Sequence, residues 1–519
     1  MLSPWPYDLR QLATRHGNRI AVTDPAGTAT FVELLLRAES IAARLVQAGV
    51  GPGKRVVTLV RNSAEAVSAS WGILLAGGCE VTLNPAQGED ELKWCTSYVQ
   101  PSVFVHDGRS FWRPDAPVFC LDCSTGAGED PIRTKFKQAC DDDWGRILFT
   151  SGTTGRPKGV VYTHYGRWLA CQLLRAGIAR TTAGGGSTLL MTSFSHGSSL
   201  LAYALLANGD PVHFLDGADI EAAQALVRGG QVRHIFAPPT VLAKIVQCFG
   251  TGPVEGIRTI FTGTAPLSSG LLASAERIFG ECVRITYGMT EIFNPIAVLE
   301  PIETHALYRT LKEDAVGCVG WPAPGVHISI RNDRAEEVPA GEPGEIHIAA
   351  KHMFAGYLLE HDQFQPAATY HATGDLGIMD PQKGLRILGR LNDTIKTGGH
   401  KVLPQEVEAA LRARGAPDEL VILGLPSEYW GEVIVCAYAS RTDSWSEAVQ
   451  QLAKPLARYK QPRLYVSLPT LWRNPIGKVD RKRIRQFIQE TYELKDGPHP
   501  SLRRRGSRHH SANQHGSAQ

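Results

Sequence analysis

The 519-residue sequence has only ten cysteines, too few for a disulfide scaffold in a chain this long. One pair stands at CxxC spacing, Cys120 and Cys123. No second such pair and no His cluster at zinc spacing accompanies it, so it is read as neither a metal nor a redox site. The start does not read as a secretory leader, because MetLeuSerProTrpProTyrAspLeuArg (1–10) puts Pro and charge where a signal peptide needs an apolar run. The expectation is a reducing cytoplasm. No stretch reads as a membrane span: 181–209 lacks Asp, Glu, Lys and Arg, but it is rich in Gly, Ser and Thr and carries His196. Buried strand and helix are expected there instead. A basic face is lacking too. The chain has 54 Lys and Arg against 51 Asp and Glu, but Arg503, Arg504, Arg505 and Arg508 lie in an acid-free tail. The remainder is balanced, which argues against a nucleic-acid partner.

Hydrophobic residues at 43% and charged residues at 20% are ordinary for a soluble globular protein. Disordered, collagen-like and coiled-coil readings are excluded for the chain as a whole. Its 52 Gly and 32 Pro indicate many loops, as in an enzyme with a loop-built site. The length allows roughly three structural units.

Up to about residue 390, short β-branched runs alternate with helical patterns, which predicts an α/β fold. ArgValValThrLeuVal (55–60) precedes a helical stretch at 64–75, and HisIlePheAla (234–237) precedes another at 240–248. GlyGluProGly (341–344) opens a strand at 345–349. ProGlnLysGly (381–384) then turns the chain through 385–388 into GlyArgLeuAsnAsp (389–393). Beyond it the pattern predicts a compact α+β piece: helix 404–414, strands 420–423 and 433–438, helix 446–456. The expected organisation is a large multi-subdomain N-terminal domain (1–389), a hinge (390–393), a small mobile C-terminal domain (394–496) and a disordered basic tail (497–519). His509, His510 and His515 belong to that tail and are read as solvated.

The most informative segment is IleLeuPheThrSerGlyThrThrGlyArgProLysGlyVal (147–160). A strand runs into a loop crowded with hydroxyls, glycines and one lysine. Gly admits backbone N–H groups to a phosphate, hydroxyls donate, and Lys158 adds charge. The GxxxxGK[ST] pattern of a Walker A loop fails, since Gly159 follows Lys158 rather than preceding it. No GxSxG nucleophile elbow occurs, which argues against a serine hydrolase.

At this point the sequence resembles the adenylate-forming superfamily of acyl-CoA synthetases, aryl-CoA ligases, luciferases and nonribosomal-peptide adenylation domains. The resemblance runs from ThrPheValGluLeu (30–34) to GlyLysValAspArg (477–481). After the phosphate loop come GlyThrAlaPro (263–266), TyrGlyMetThrGlu (287–291), ThrGlyAspLeu (373–376), GlyArgLeuAsnAsp (389–393) and AsnProIleGlyLys (474–478), in the family's order.

The resemblance implies attack of a carboxylate on the α-phosphorus of ATP, with pyrophosphate expelled. Charge then grows on phosphoryl oxygens, so catalysis is chiefly positioning and electrostatic stabilisation. By resemblance, Ser151, Gly152, Thr153, Thr154, Gly155 and Lys158 would hold the β- and γ-phosphates. Thr290 would donate to the α-phosphate, and Glu291 would hold Mg2+, a hard cation suited to carboxylate oxygen. Gly263, Thr264, Ala265 and Pro266 would line the adenine, with Tyr287 stacking on it. Asp375 would accept from the ribose hydroxyls, supported by Arg390. Lys478 would bridge the carboxylate and the α-phosphate. Two residues past Arg390 the family usually has Asp or Lys, whereas this sequence has Asn392.

For the acid, SerPheSerHisGlySerSer (193–199) aligns with the segment that presents an Asp to the ammonium of amino-acid substrates, and it has none. A free amino acid is therefore disfavoured, since a buried ammonium without a partner is costly. His196 matches a histidine that flanks the carboxylate in aryl- and acyl-CoA ligases, although Ser195 replaces the usual Phe. Gly197, Ser198 and Ser199 leave room for a ring, and Phe236, Phe293 and Asn294 flank motifs expected at the pocket. An aromatic or medium hydrophobic acid is preferred. For the acceptor, IleLysThrGlyGlyHisLysValLeuProGlnGluValGlu (395–408) resembles the segment used in thioester formation, with Lys396 matching a lysine of that step. Coenzyme A leads, and an amine or a carrier-protein thiol remains open.

Overall fold

The computed structural model describes every residue except 109–111, 113–118, 123–135, 151–157, 183–184, 196, 251, 312–316, 383, 417–418, 440–444, 474–478 and 506–519. The chain divides into two compact units, one of Met1–Thr373 with Gly377–Ile387 and one of Gly374–Leu376 with Leu388–Gln519. Among the described residues, no helix is long and apolar enough to cross a membrane.

The first unit is α/β. Its eight-stranded sheet has a parallel part ordered Phe119–Asp122, Val103–His106, Arg55–Leu59, Cys79–Thr82 and Trp144–Thr150. Antiparallel Lys158–Thr163, Gly356–Leu358 and Phe364–Pro366 complete it. A thirteen-stranded sheet holds a second parallel run, Ile20–Asp24, Val212–Phe214, Thr188–Leu190, His234–Phe236, Thr259–Gly263 and Val283–Met289. It continues antiparallel through Ile292–Leu299. The parallel strands are buried on both faces, which is why they read as continuous apolar runs rather than alternating ones.

Local sequence explains the helices between them. Thr30 caps helix Phe31–Gln47 and completes a capping box with Glu33, so ThrPheValGluLeu marks a helix start. Ser63 caps helix Ala64–Ala76, and Gly77 ends it in the left-handed region at φ 74°. That helix is buried almost all round. The charge-free stretch 181–209 resolves into strand Thr188–Leu190 and buried helix Gly197–Asn208. Both are elements of the core, since polar Ser and Thr side chains can hydrogen-bond locally where lysine or glutamate could not be buried alone.

The second unit is a small α+β body. Strands Leu420–Ser427 and Gly431–Ala439 form its central antiparallel pair, joined by Ile395–Thr397, His400–Val402 and Leu464–Leu468. Side chains alternate across this sheet with period two. Ile422, Ile434 and Cys436 pack with Val407 and Leu411 of helix Pro404–Arg412 and Val449 of helix Trp445–Ala453. Val421, Leu423, Val433 and Val435 pack with Ile484 and Ile488 of helix Arg481–Thr491.

One expectation is corrected. The tail does not begin at 497, because Tyr492–Lys495 and Ser501–Arg504 pair as an antiparallel hairpin. Leu494 and Leu502 lie against the sheet's second apolar face, and their burial holds the hairpin in place. Residues 506–519 lie outside the described residues.

Candidate functional site

In the first unit, the carboxyl ends of the parallel strands carry the candidate residues, the edge where open α/β sheets bind ligands. Strand Thr259–Gly263 ends at Gly263, whose partner in the neighbouring strand is Thr286. A Cβ at 263 would run into the Thr286 carbonyl, so only glycine fits. Thr264 follows at φ 71°, a left-handed conformation unusual for a β-branched residue. Thr264, Ala265 and Pro266 are exposed, whereas the Tyr287 ring is packed into the apolar core.

Thr290 and Glu291 form the turn between strands Val283–Met289 and Ile292–Leu299. The backbone of this turn is pinned at two points: the Tyr162 hydroxyl donates to the Thr290 carbonyl at 2.8 Å, and the Phe354 amide donates to the Glu291 carbonyl at 2.8 Å. Tyr162 also stacks on Phe293, with centroids 4.0 Å apart and planes 12° from parallel. Phe293 is thereby buried in the core.

The Glu291 carboxylate accepts a hydrogen bond from the Tyr357 hydroxyl at 3.0 Å. Lys158 Nζ lies over the same ring, 5.7 Å from the Tyr357 centroid and within cation–π range. Tyr357 therefore links the phosphate-loop lysine to the candidate metal carboxylate. Burial pushes the Tyr357 hydroxyl above its ordinary range and the Glu291 charge pushes it further, so it stays protonated as a donor. Sequence reading missed Tyr357 because GlyTyrLeuLeu (356–359) looks like a plain edge strand. Only its pairing with Gly159–Val161 brings it beside Lys158.

The segment before His196 is held from beneath. The Asn62 side-chain amide donates to the Thr192 carbonyl at 2.9 Å and the Leu215 carbonyl at 3.0 Å, and its oxygen accepts from the Phe194 amide at 2.7 Å. Thr82 donates to the Ser195 carbonyl at 2.8 Å. Behind Thr82 lies a buried charge cluster, Glu80 with Arg146 and Arg167, each about 1% exposed. Arg167 lies 2.8 Å from the Glu80 carboxylate and Arg146 lies 3.9 Å from it. Burial alone would raise the Glu80 carboxyl, but the Arg167 and Arg146 guanidiniums outweigh it and hold it below the ordinary range. Burial lowers Arg146 to about 10, against the pull of Glu80, so it remains charged at neutral pH.

The second unit brings together two more candidates. Asp375 is buried, and its Oδ1 pairs with Arg390 Nε at 2.8 Å. Asn392 lies in the short turn Leu391–Asp393. Lys396 is exposed, and its amide donates to Glu432 at 2.8 Å. Ser151, Gly152, Thr153, Thr154, Gly155, His196 and Lys478 lie outside the described residues, as does Cys123 of the CxxC pair.

With this geometry in view, the profile of the family described as "AMP-binding enzyme" matches residues 9–358. The chain belongs to that family. The 2-succinylbenzoate–CoA ligase of Geobacillus sp. (strain WCH70) is 29% identical over 494 residues, 93% of this chain and 97% of that one. The ligase of the same description from Bacillus cereus (strain ATCC 14579) is 28% identical over 509 residues, 94% and 100% of the two chains. Among solved structures, o-succinylbenzoate CoA synthetase (MenE) from Bacillus subtilis, in complex with the acyl-adenylate intermediate OSB-AMP, superposes with a TM-score of 0.79 at 25% identity, covering 93% of this chain and 98% of that one. The amide bond synthetase McbA of Marinactinospora thermotolerans shares the fold, with a TM-score of 0.80 at 23% identity over 93% of this chain and 100% of that one. The large α/β unit followed by a small α+β unit is the architecture of these adenylate-forming enzymes.

The donor set in this AMP-binding enzyme suits Mg2+ better than a protein-caged metal. Among the described residues, no group of three or more His, Cys, Asp and Glu side chains converges. Mg2+ is commonly held by one or two carboxylates, with substrate phosphates and water completing its shell. Glu291, oriented by Tyr357, offers such a carboxylate.

Proposed function

We propose that this enzyme is an ATP-dependent carboxylic acid–CoA ligase acting in the cytoplasm on an aromatic or medium hydrophobic acid. The observation that carries the reading is the end-to-end match to 2-succinylbenzoate–CoA ligases, covering 93–94% of this chain and 97–100% of theirs. That match supports an aryl acid first and coenzyme A as the acceptor.

In the first step an oxygen of the acid's carboxylate attacks the α-phosphorus, and the bond to pyrophosphate breaks. Lys158 and the loop Ser151–Gly155 hold the β- and γ-phosphates, and Thr290 donates to the α-phosphate. Glu291 would hold Mg2+, which would supply positive charge against the phosphates. Gly263–Pro266 and Tyr287 receive the adenine. Asp375 takes the ribose hydroxyls, and its pairing with Arg390 keeps the carboxylate aimed. Lys478 offsets the repulsion between the two anions, a contribution of several kcal/mol in a water-excluded site. His196 flanks the substrate carboxylate. In the second step the thiol attacks the acyl carbon and AMP leaves. Residues 390–393 act as the hinge between the two steps, and 395–408, with Lys396, Gly398 and Gly399, meet the acceptor.

The test is product mass spectrometry after incubation with Mg-ATP and benzoate, 2-succinylbenzoate, hexanoate or octanoate, with and without CoA. Acyl-CoA from an aryl acid is the expected result. Acyl-AMP that accumulates while CoA goes unused overturns the thioester step and directs the search to an amine or a carrier protein. No adenylate from any of the four acids overturns the acid class.

A further inference from the structure

The segment that follows helix Arg481–Thr491 is bound to the second unit by a specific set of polar contacts. The hairpin of Tyr492–Lys495 and Ser501–Arg504 places Asp496 and Gly497 at its turn. The Asp496 carboxylate accepts from the Ser427 hydroxyl at 2.7 Å, the Glu428 amide at 2.6 Å and the Tyr429 amide at 3.2 Å. It thus gathers the turn between strands Leu420–Ser427 and Gly431–Ala439. Asp496 sits at the surface, yet these donors hold its carboxyl below the ordinary range, the Ser427 hydroxyl first among them.

The same turn carries Trp430. Its indole N–H donates to the Gly497 carbonyl at 3.0 Å, and its backbone amide donates to the Ser427 hydroxyl at 2.9 Å. The guanidinium of Arg463 covers the ring at 3.8 Å from the centroid. Trp430 then meets Gly398: its carbonyl accepts from the Gly398 amide at 2.8 Å, and a Cβ at 398 would come within 3.2 Å of the indole ring. Gly398 and Gly399 have φ of 55° and 80°, so the turn is a left-handed pair whose shape depends on what lies beneath it. A continuous chain of contacts therefore runs from Asp496 and Gly497 through Trp430 to the Gly398–Gly399 turn.

We propose that the hairpin of residues 492–504 is a positioning element for the acceptor step, holding the Gly398–Gly399 turn in shape through Asp496, Gly497 and Trp430. This rests on the reading of 395–408 as the segment that meets the acceptor. The hairpin touches no substrate in this role. Its effect falls on the second step, because the described residues Glu291 and Asp375, assigned to Mg-ATP, are held by other contacts, Tyr357 and Arg390.

Asp496→Ala tests it, with deletion of 492–519 as the stronger variant. Hydrogen exchange, which needs no substrate, comes first. Exchange at 396–399 and 428–431 is expected to rise about tenfold in Asp496→Ala, as loss of charge-assisted hydrogen bonds implies. Unchanged exchange overturns the clasp. The two half-reactions are then separated, using whichever of benzoate, 2-succinylbenzoate, hexanoate and octanoate supports ATP–pyrophosphate exchange by the wild-type enzyme. Transfer to CoA is expected to slow about tenfold while ATP–pyrophosphate exchange is unchanged. An equal fall in both half-reactions, or a fall in neither, overturns the positioning role. A wild-type enzyme that forms acyl-AMP but never acyl-CoA overturns the acceptor reading itself, and the hydrogen-exchange result then stands apart from it.

Discussion

At the scale of single residues, Tyr357 has the clearest consequence. Its hydroxyl orients Glu291 while its ring faces Lys158, so one side chain couples two electrostatic elements of the site. Tyr357→Phe keeps the ring and removes only the hydrogen bond to a carboxylate. The Mg2+ concentration needed for half-maximal pyrophosphate exchange should rise about tenfold, in line with a charge-assisted bond of ~1.5 kcal/mol, while the KM for the acid stays put. A magnesium titration of wild type and variant checks this, and parallel shifts in both constants would assign Tyr357 a merely structural role. Asp375 is the second case. Because it is buried and already paired with Arg390, Asp375→Ala removes the proposed ribose acceptor together with that ion pair. The KM for ATP should rise about tenfold or more, and an unchanged ATP dependence would remove Asp375 from the nucleotide site.

At the scale of elements, strand Cys79–Thr82 does two jobs with adjacent side chains. Thr82 anchors the Ser195 carbonyl, and Glu80 pairs with two arginines from other elements of the same unit, Arg146 in strand Trp144–Thr150 and Arg167 in helix His164–Ile178. Further contacts fix Arg167: it donates to Ser70 at 3.0 Å and lies 5.0 Å from the Tyr203 ring. A buried cluster of this kind adds little net stability against an apolar replacement, yet removing its one anion leaves two uncompensated cations. Glu80→Gln should therefore destabilise the first unit by ~3–5 kcal/mol. Urea unfolding followed by tryptophan fluorescence would show it as a lowered midpoint, and a midpoint within error of wild type would refute the coupling. The charge-free stretch 181–209 belongs at this scale as well. Its Gly, Ser and Thr content predicted buried strand and helix, and the fold places strand Thr188–Leu190 and helix Gly197–Asn208 there.

At the scale of the whole molecule, buried histidines set a pH limit. Burial pushes His164, His234 and His371 down to about 4, helped by the neighbouring charges of Arg167, Arg258 and His347 respectively. Unfolded, each would titrate near 6.5. Between those values the unfolded chain binds more protons, so stability is present above pH ~6.5 and is lost as pH falls toward 4. The melting temperature should drop by several degrees between pH 7 and pH 5, since an unfolding entropy of about 2 cal/mol/K per residue makes each kcal/mol worth about 1 °C in a unit this large. A flat melting profile over that window would show that these rings are not held neutral. All three lie in the first unit, so the transition to follow is that of the large unit.

Much of this protein was legible in its sequence. The alternation of β-branched runs with helical patterns marked the α/β unit, because parallel strands buried on both faces must be apolar throughout. The helical pattern at 64–75 marked a helix, found at Ala64–Ala76. The motifs at 263–266, 287–291 and 389–393 carried the resemblance to the adenylate-forming superfamily. What escaped were pairings set by long-range register. Tyr357 meets Glu291 across 66 residues, Asn62 meets Phe194 across 132, and Asp496 meets Ser427 across 69. Nothing local distinguishes those residues from an edge strand, a helix entry or a polar tail. Strand pairing and apolar packing over the whole chain bring them together, and only the folded molecule decides which polar groups those forces leave face to face.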